Sequence, residues 1–340
     1  FDDTAAADHP RPSPFDPMQR NTQPLFSPLF STVSRILLLL SMTAGLLVGC
    51  DSNDSDMEAD PLRRVSYDLN AQPNDGTLSG GVSGTVTFWE SGSSQTLVTL
   101  ELDEGATGAS VSHPAHIHEN SASEGGDIAF HLSPIDGSGG GGTSARIINR
   151  SFDELSSFNG YVNVHESVAN LSTVVAQGNI GSNADGREGP GLDLVENPRQ
   201  KTYELSANSN SGTVLPGGAA GSVTVQEVNA DQSLVSLSLN TGGSTGAGVS
   251  HPAHIHDNSA ADGGDIALYL SPIDGTDAAA RSSKLVPRSY DELVTFDGYV
   301  NVHESVANLS TVVAQGNIGA NADGSSDDGG DDDGGGSNPY

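Results

Sequence analysis

The residues of this chain that can do chemistry are its histidines, and they recur in register. His113, His116, His118 and His165 reappear 138 residues later as His251, His254, His256 and His303. In an extended strand, side chains two apart share a face. His116 and His118 therefore project together, while Ala115 and Ile117 point the other way. In Tyr161-Val162-Asn163-Val164-His165 the valines take the buried face and leave Tyr161, Asn163 and His165 on the opposite one. Three imidazoles then converge on the outside of a β layer: His116, His118 and His165 in one copy, His254, His256 and His303 in the other. Imidazole is a favoured ligand of zinc and copper, so the chemistry implied is binding of one such ion per copy. His113 and His251, each followed by proline, read either as additional ligands or as strand-entry residues. His131 is the poorer candidate, because Tyr269 stands at its place in the second copy. Hydrogen bonding of the same imidazoles to loop carbonyls, or to Glu119, Asp127 and Asp136, is the competing reading.

No other catalytic constellation stands out. The chain shows no Ser/His/Asp ordering, no glycine-rich phosphate loop and no nucleophilic cysteine. Asp153-Glu154 and Asp291-Glu292 fall in the first turn of short helices, where carboxylates complement the helix dipole. No catalytic residue is assigned, and a binding or structural role is favoured over an enzymatic one. The 13 Lys+Arg against 44 Asp+Glu give a formal net charge of −31, which repels phosphate backbones and excludes nucleic acid as a partner. The single cysteine excludes an internal disulfide framework and a Cys-rich metal site.

The elements that must position the histidines are short strands. Period-two alternation marks Thr85–Trp89, Leu97–Leu102 and Leu234–Leu239. Further strands are expected at Val65–Leu69, Ala115–His118, Asp127–Leu132, Tyr161–His165 and Thr173–Ile180. A capping-box spacing at Ser151–Glu154 and Ser289–Glu292 predicts one short helix in each copy. Gly at 42 residues and aromatics at 5% favour such strands joined by polar turns.

The histidines sit inside an internal duplication. Val111–Gly137 matches Val249–Gly275 except at Glu119/Asp257, Ser123/Ala261, Glu124/Asp262, Phe130/Leu268 and His131/Tyr269. Phe158–Gly181 matches Phe296–Gly319 except at Asn159/Asp297. Each unit, 62–183 and 200–321, is about 120 residues and therefore domain-sized. The expected fold is all-β: two tandem antiparallel, Greek-key-like β-sandwich domains, each with one short helix. Residues 184–199 read as a linker and 322–340 as a disordered acidic tail.

Residues 1–49 read as a leader with a lipoprotein signal peptide, initiating at Met18. Basic Arg20 and Arg35 precede an apolar run from Ile36 to Val48, which is short for a membrane span and suits a signal core. Leu47-Val48-Gly49-Cys50 looks like a bacterial lipobox. Acylation of Cys50 would anchor the mature chain to a membrane through the acidic tether 50–61. The expected location is the bacterial cell envelope, at the outer membrane or cell surface.

Pro114-Ala115-His116-Ile117-His118 followed by Gly160-Tyr161-Val162-Asn163-Val164-His165 resembles the CHRD domain, named after chordin. The second copy repeats both segments at Pro252–His256 and Gly298–His303. The resemblance implies an extracellular β module in each unit, and hence a lipid-anchored envelope protein acting as a binding or structural module. The chain departs from the family's usual Gly-Glu-Ile-Arg-Gly-like strand after the second motif, carrying Glu166–Ile180 there instead. The His-x-His strand also looks like that of copper/zinc superoxide dismutase. In that likeness Asp127/Asp265 or Asp136/Asp274 would complete a second metal site, with redox activity as the implied chemistry.

Overall fold

The computed structural model describes residues 62–322, apart from 105, 106, 109, 110, 139–141 and 196. The expected leader, Cys50 with the whole tether, and the acidic tail beyond residue 322 lie outside the described residues. The described residues belong to one compact unit. Its architecture is all-β with two short helices.

The first repeat opens with β1 (Arg63–Ala71), β2 (Gly84–Gly92) and β3 (Gln95–Leu102). Next come β4 (Ser112–His113), β5 (Ala115–Glu119), β6 (Ile128–His131), β7 (Ile135–Asp136) and β8 (Thr143–Ile148). Helix α1 (Phe152–Ser156) leads to β9 (Asn159–Ser167) and β10 (Asn170–Gly181). A further strand, β11 (Arg187–Pro190), lies inside the stretch expected as a linker and pairs with β1. The second repeat retraces this order with β12 (Gln200–Ala207), β13 (Gly221–Glu227), β14 (Ser233–Leu239), β15 (Ser250–His251) and β16 (Ala253–Asp257). It ends with β17 (Ile266–Tyr269), β18 (Ile273–Asp274), β19 (Arg281–Val286), α2 (Tyr290–Val294), β20 (Asp297–Ser305) and β21 (Asn308–Gly319).

All pairings are antiparallel. In the first repeat one run is β11-β1-β2-β3-β8 and the other is β1-β10-β9-β5-β6. β1 belongs to both, pairing Arg64–Leu69 with β2 and Asn70–Ala71 with β10. The inward residues of both runs meet in one apolar cluster that includes Val86, Phe88, Leu100, Ile117, Val162, Val164 and Ile180. A matching cluster fills the second repeat, with Val223, Leu237, Ile255, Val300, Val302 and Ile318. The helices carry the expected capping boxes, Ser151 with Glu154 and Ser289 with Glu292.

The two repeats are joined edge to edge by β8 and β19, which the alternation pattern did not reveal. Ala145 pairs with Ser283, and the Ser112 and Ser250 hydroxyls lie 2.8 Å apart. In both cases a residue meets its own counterpart 138 positions on, so the junction has the self-complementary geometry of a twofold contact. Leu97, Ala145, Val228 and Leu234 form a third apolar cluster across it. The strands were missed because their buried positions include Ser144, Ser282, Ser283 and Lys284. Ser144 and Ser282 are satisfied internally, donating to the carbonyls of Ser133 and Ser271 at 2.7 and 2.8 Å.

Candidate metal centre

Strands β5 and β9 pair so that His116 faces Asn163 and His118 faces Tyr161. His165 lies two residues beyond Asn163, at the diagonal position next to His116, where long side chains reach one another. Ala115, Ile117, Val162 and Val164 turn into the core, as the alternation requires. The expectation that the imidazole face is the outer one needs correction. His116 and His165 are only 4% and 8% exposed, and His254 and His303 5% and 7%. Part of the cover over His116 is Asp274, which comes from β18 of the other repeat.

His116 Nδ1 lies 3.2 Å from His165 Nε2, and His254 Nδ1 lies 3.2 Å from His303 Nε2. Nitrogens on a tetrahedral ion with bonds of 2.0–2.1 Å stand about 3.3 Å apart. The third ring is fixed by its far nitrogen. His118 Nδ1–H donates to the Gly126 carbonyl at 3.0 Å, and His256 Nδ1–H to the Gly264 carbonyl at 3.0 Å. A carbonyl only accepts, so each ring carries its proton on Nδ1 and presents a bare Nε2. Those two Nε2 atoms are buried without a hydrogen-bond partner. In each repeat one nitrogen from every ring falls within 4.8 Å of the other two. The outer rings also stack on Tyr161 and Tyr299, with centroids 4.9 Å apart.

Burial favours the neutral form of His118, His165, His254 and His303. It pushes His165 down to about 4, helped by the neighbouring His116 and His118, and His303 to about 4. His254 falls to about 3 from burial and the proximity of His303 and His256. Burial lowers His118 as well. Neutral imidazole is the metal-binding form.

His113 and His251 lie outside these clusters. Their Nδ1–H groups donate to the backbone carbonyls of His165 and His303 at 3.0 and 3.2 Å. Their Nε2 atoms accept from the hydroxyls of Thr107 and Thr245. Both ring nitrogens are therefore engaged, Nδ1 in holding the backbone of the third histidine and Nε2 with a threonine hydroxyl.

The next residue is a second anchor. Glu166 accepts from the Thr77 hydroxyl at 2.8 Å, the Leu78 amide at 3.2 Å and the Asn170 side-chain amide at 2.6 Å. The Thr77 amide also donates to it. Glu304 does the same work with the Val214 amide and Asn308. These bonds, led by Thr77, hold the Glu166 carboxyl below the usual carboxylate range. Glu166→Ala leaves several donors without an acceptor, so it should cost about 2–4 kcal/mol in urea unfolding, with Glu166→Gln recovering part. An unchanged midpoint in the alanine variant would remove this anchor from the account.

A third cluster spans the repeats: His116, His131 and Asp274. His131 pairs directly with His116 across β5 and β6. Strict equivalence of the repeats argued against His131, and that equivalence breaks here. The signal available was its place on the His116 face of the adjacent strand. Asp274 was visible only as one of several acidic candidates. No family model matches the chain, and no curated protein or solved structure matches it either.

Proposed function

We propose that this chain is a metal-binding protein that holds one copper or zinc ion on the three imidazoles of each repeat. The sites are His116 Nδ1, His118 Nε2 and His165 Nε2, and His254 Nδ1, His256 Nε2 and His303 Nε2. The observation that carries the reading is the convergence of three imidazoles in each repeat, two of them with nitrogens at ligand spacing and the third with a buried Nε2 that has no hydrogen-bond partner. A hydrogen-bonding role accounts only for the contact between the inner rings, since the far Nδ1 atoms of His165 and His303 are buried without a partner. It leaves the His118 and His256 Nε2 atoms buried and unsatisfied, at a cost of about 1–3 kcal/mol each.

Each repeat is read as a Greek-key-like β-sandwich of CHRD type, with the Tyr-Val-Asn-Val-His strand delivering the third ligand. The lipobox-like segment ending in Cys50 supports an envelope location through a lipid anchor, the function being to bind metal there. Among the described residues no helix is long and apolar enough to cross a membrane. Three protein nitrogens leave a fourth position on a tetrahedral ion for water or a small ligand. Metal analysis of chain purified without a histidine tag tests the reading. His165→Ala with His303→Ala should lower the bound copper or zinc by two ions per chain. Wild type and the double variant retaining the same metal would overturn it.

A further inference from the structure

His116 turns its two ring nitrogens toward two different groups. Nδ1 faces His165, while Nε2 lies 3.3 Å from Asp274 Oδ2. The same oxygen is 3.5 Å from His131 Nδ1, a buried atom without a hydrogen-bond partner. One ligand atom from each of the three residues lies within 4.8 Å of the other two, and the two distances to Asp274 are close to the edge of about 3.3 Å expected around a tetrahedral ion with bonds near 2.0–2.1 Å. We propose that His116 Nε2, His131 Nδ1 and Asp274 Oδ2 form a second copper or zinc site in the first repeat, bridged by the His116 ring to the three-histidine site. The inference rests on the three-histidine reading, since a bridge needs an ion on each nitrogen. On loading, His116 Nε2 gives up its proton to solvent and the two ions share the resulting imidazolate.

The chemistry of the surroundings makes this site single. Its counterpart in the second repeat has Tyr269 in place of His131, and a phenol is not an equivalent donor. The cations differ as well. Arg146 is held by Asp277 at 2.7 Å, which draws its charge into an ion pair. Its counterpart Lys284 is buried with its charge acting on Asp136, the counterpart of Asp274. Asp277 has no equivalent in the first repeat, where Gly139 stands. A dication is thus favoured beside Asp274 and repelled beside Asp136. The site is built across the repeats, because its carboxylate comes from β18 and its imidazoles from β5 and β6.

The test uses the whole tag-free chain loaded with copper(II), compared with His131→Tyr, a residue the fold already accommodates at position 269. Wild type should bind three ions and the variant two. Two copper(II) ions sharing an imidazolate couple antiferromagnetically, so fully loaded wild type should show the paramagnetic resonance intensity of a single copper. His131→Tyr should show the intensity of two. Asp274→Asn provides a second variant with the same expected loss of one ion. Equal binding of two ions by wild type and His131→Tyr would overturn the second site and leave the three-histidine reading standing. Three ions in wild type with undiminished intensity would overturn the bridge. No copper in His131→Tyr would overturn the three-histidine reading itself.

Discussion

Saturating zinc or copper is expected to raise the unfolding free energy of the tag-free chain by about 5 kcal/mol, and the gain should vanish in His165→Ala/His303→Ala. A ligand that binds only the folded state stabilises it by about 2.7 kcal/mol per site when present at 100 times its dissociation constant. Two sites of similar affinity double that figure. The unfolded chain retains isolated histidines of weak affinity, so the gain is close to the full linkage value. The site is largely pre-formed: His118 and His256 are held by the Gly126 and Gly264 carbonyls. His113 and His251 clamp the backbone of the third ligand. Loss of the buried His165 ring also costs packing, so His118→Ala/His256→Ala is the milder pair, the outer rings being only half-buried. Urea titrations with and without metal measure the effect. A gain that survives both pairs of substitutions would place the ion elsewhere.

Acid should destabilise the metal-free chain well above the pH at which carboxylates titrate. His165 and His303 sit near 4 and His254 near 3 when folded, against 6.5 for an unhindered histidine. The folded state therefore binds fewer protons than the unfolded one between these values. Stability is full above 6.5 and is lost as the pH falls toward 4. By pH 4.5 each of the three groups has surrendered about 2–3 kcal/mol. His113, His118 and His251 are shifted the same way, again by burial. Asp136 pulls in the opposite direction, since burial raises it and protonation relieves its charge. The net loss is comparable with the whole stability of a typical domain. Urea midpoints at pH 7 and 4.5, taken without metal, measure it. Equal midpoints would mean that these imidazoles are hydrated rather than enclosed.

The histidine faces and the helix caps were legible because they are local. Alternation in Ala115–His118 and Tyr161–His165 placed the imidazoles opposite the core, and the spacing of Ser151 and Glu154 placed the helix start. Which face meets solvent was not legible, because β18 lies against His116 only through the packing of one repeat on the other. The β8–β19 edge was hidden for a related reason. Its serines and Lys284 look solvent-facing in sequence, yet they are buried at the junction, where Ser144 and Ser282 bond to the Ser133 and Ser271 carbonyls of their own repeats. The pairing of histidines between the copies obscured His131, whose use depends on a carboxylate from the other repeat rather than on its own counterpart.

The most direct measurement is anomalous scattering from crystals of the tag-free chain loaded with zinc or copper, collected on either side of the absorption edge. The account predicts a peak bonded to His116 Nδ1, His118 Nε2 and His165 Nε2, and another bonded to His254 Nδ1, His256 Nε2 and His303 Nε2, at about 2.0–2.1 Å from each nitrogen. Peaks confined to surface carboxylates, with both histidine clusters unchanged and vacant, would contradict it.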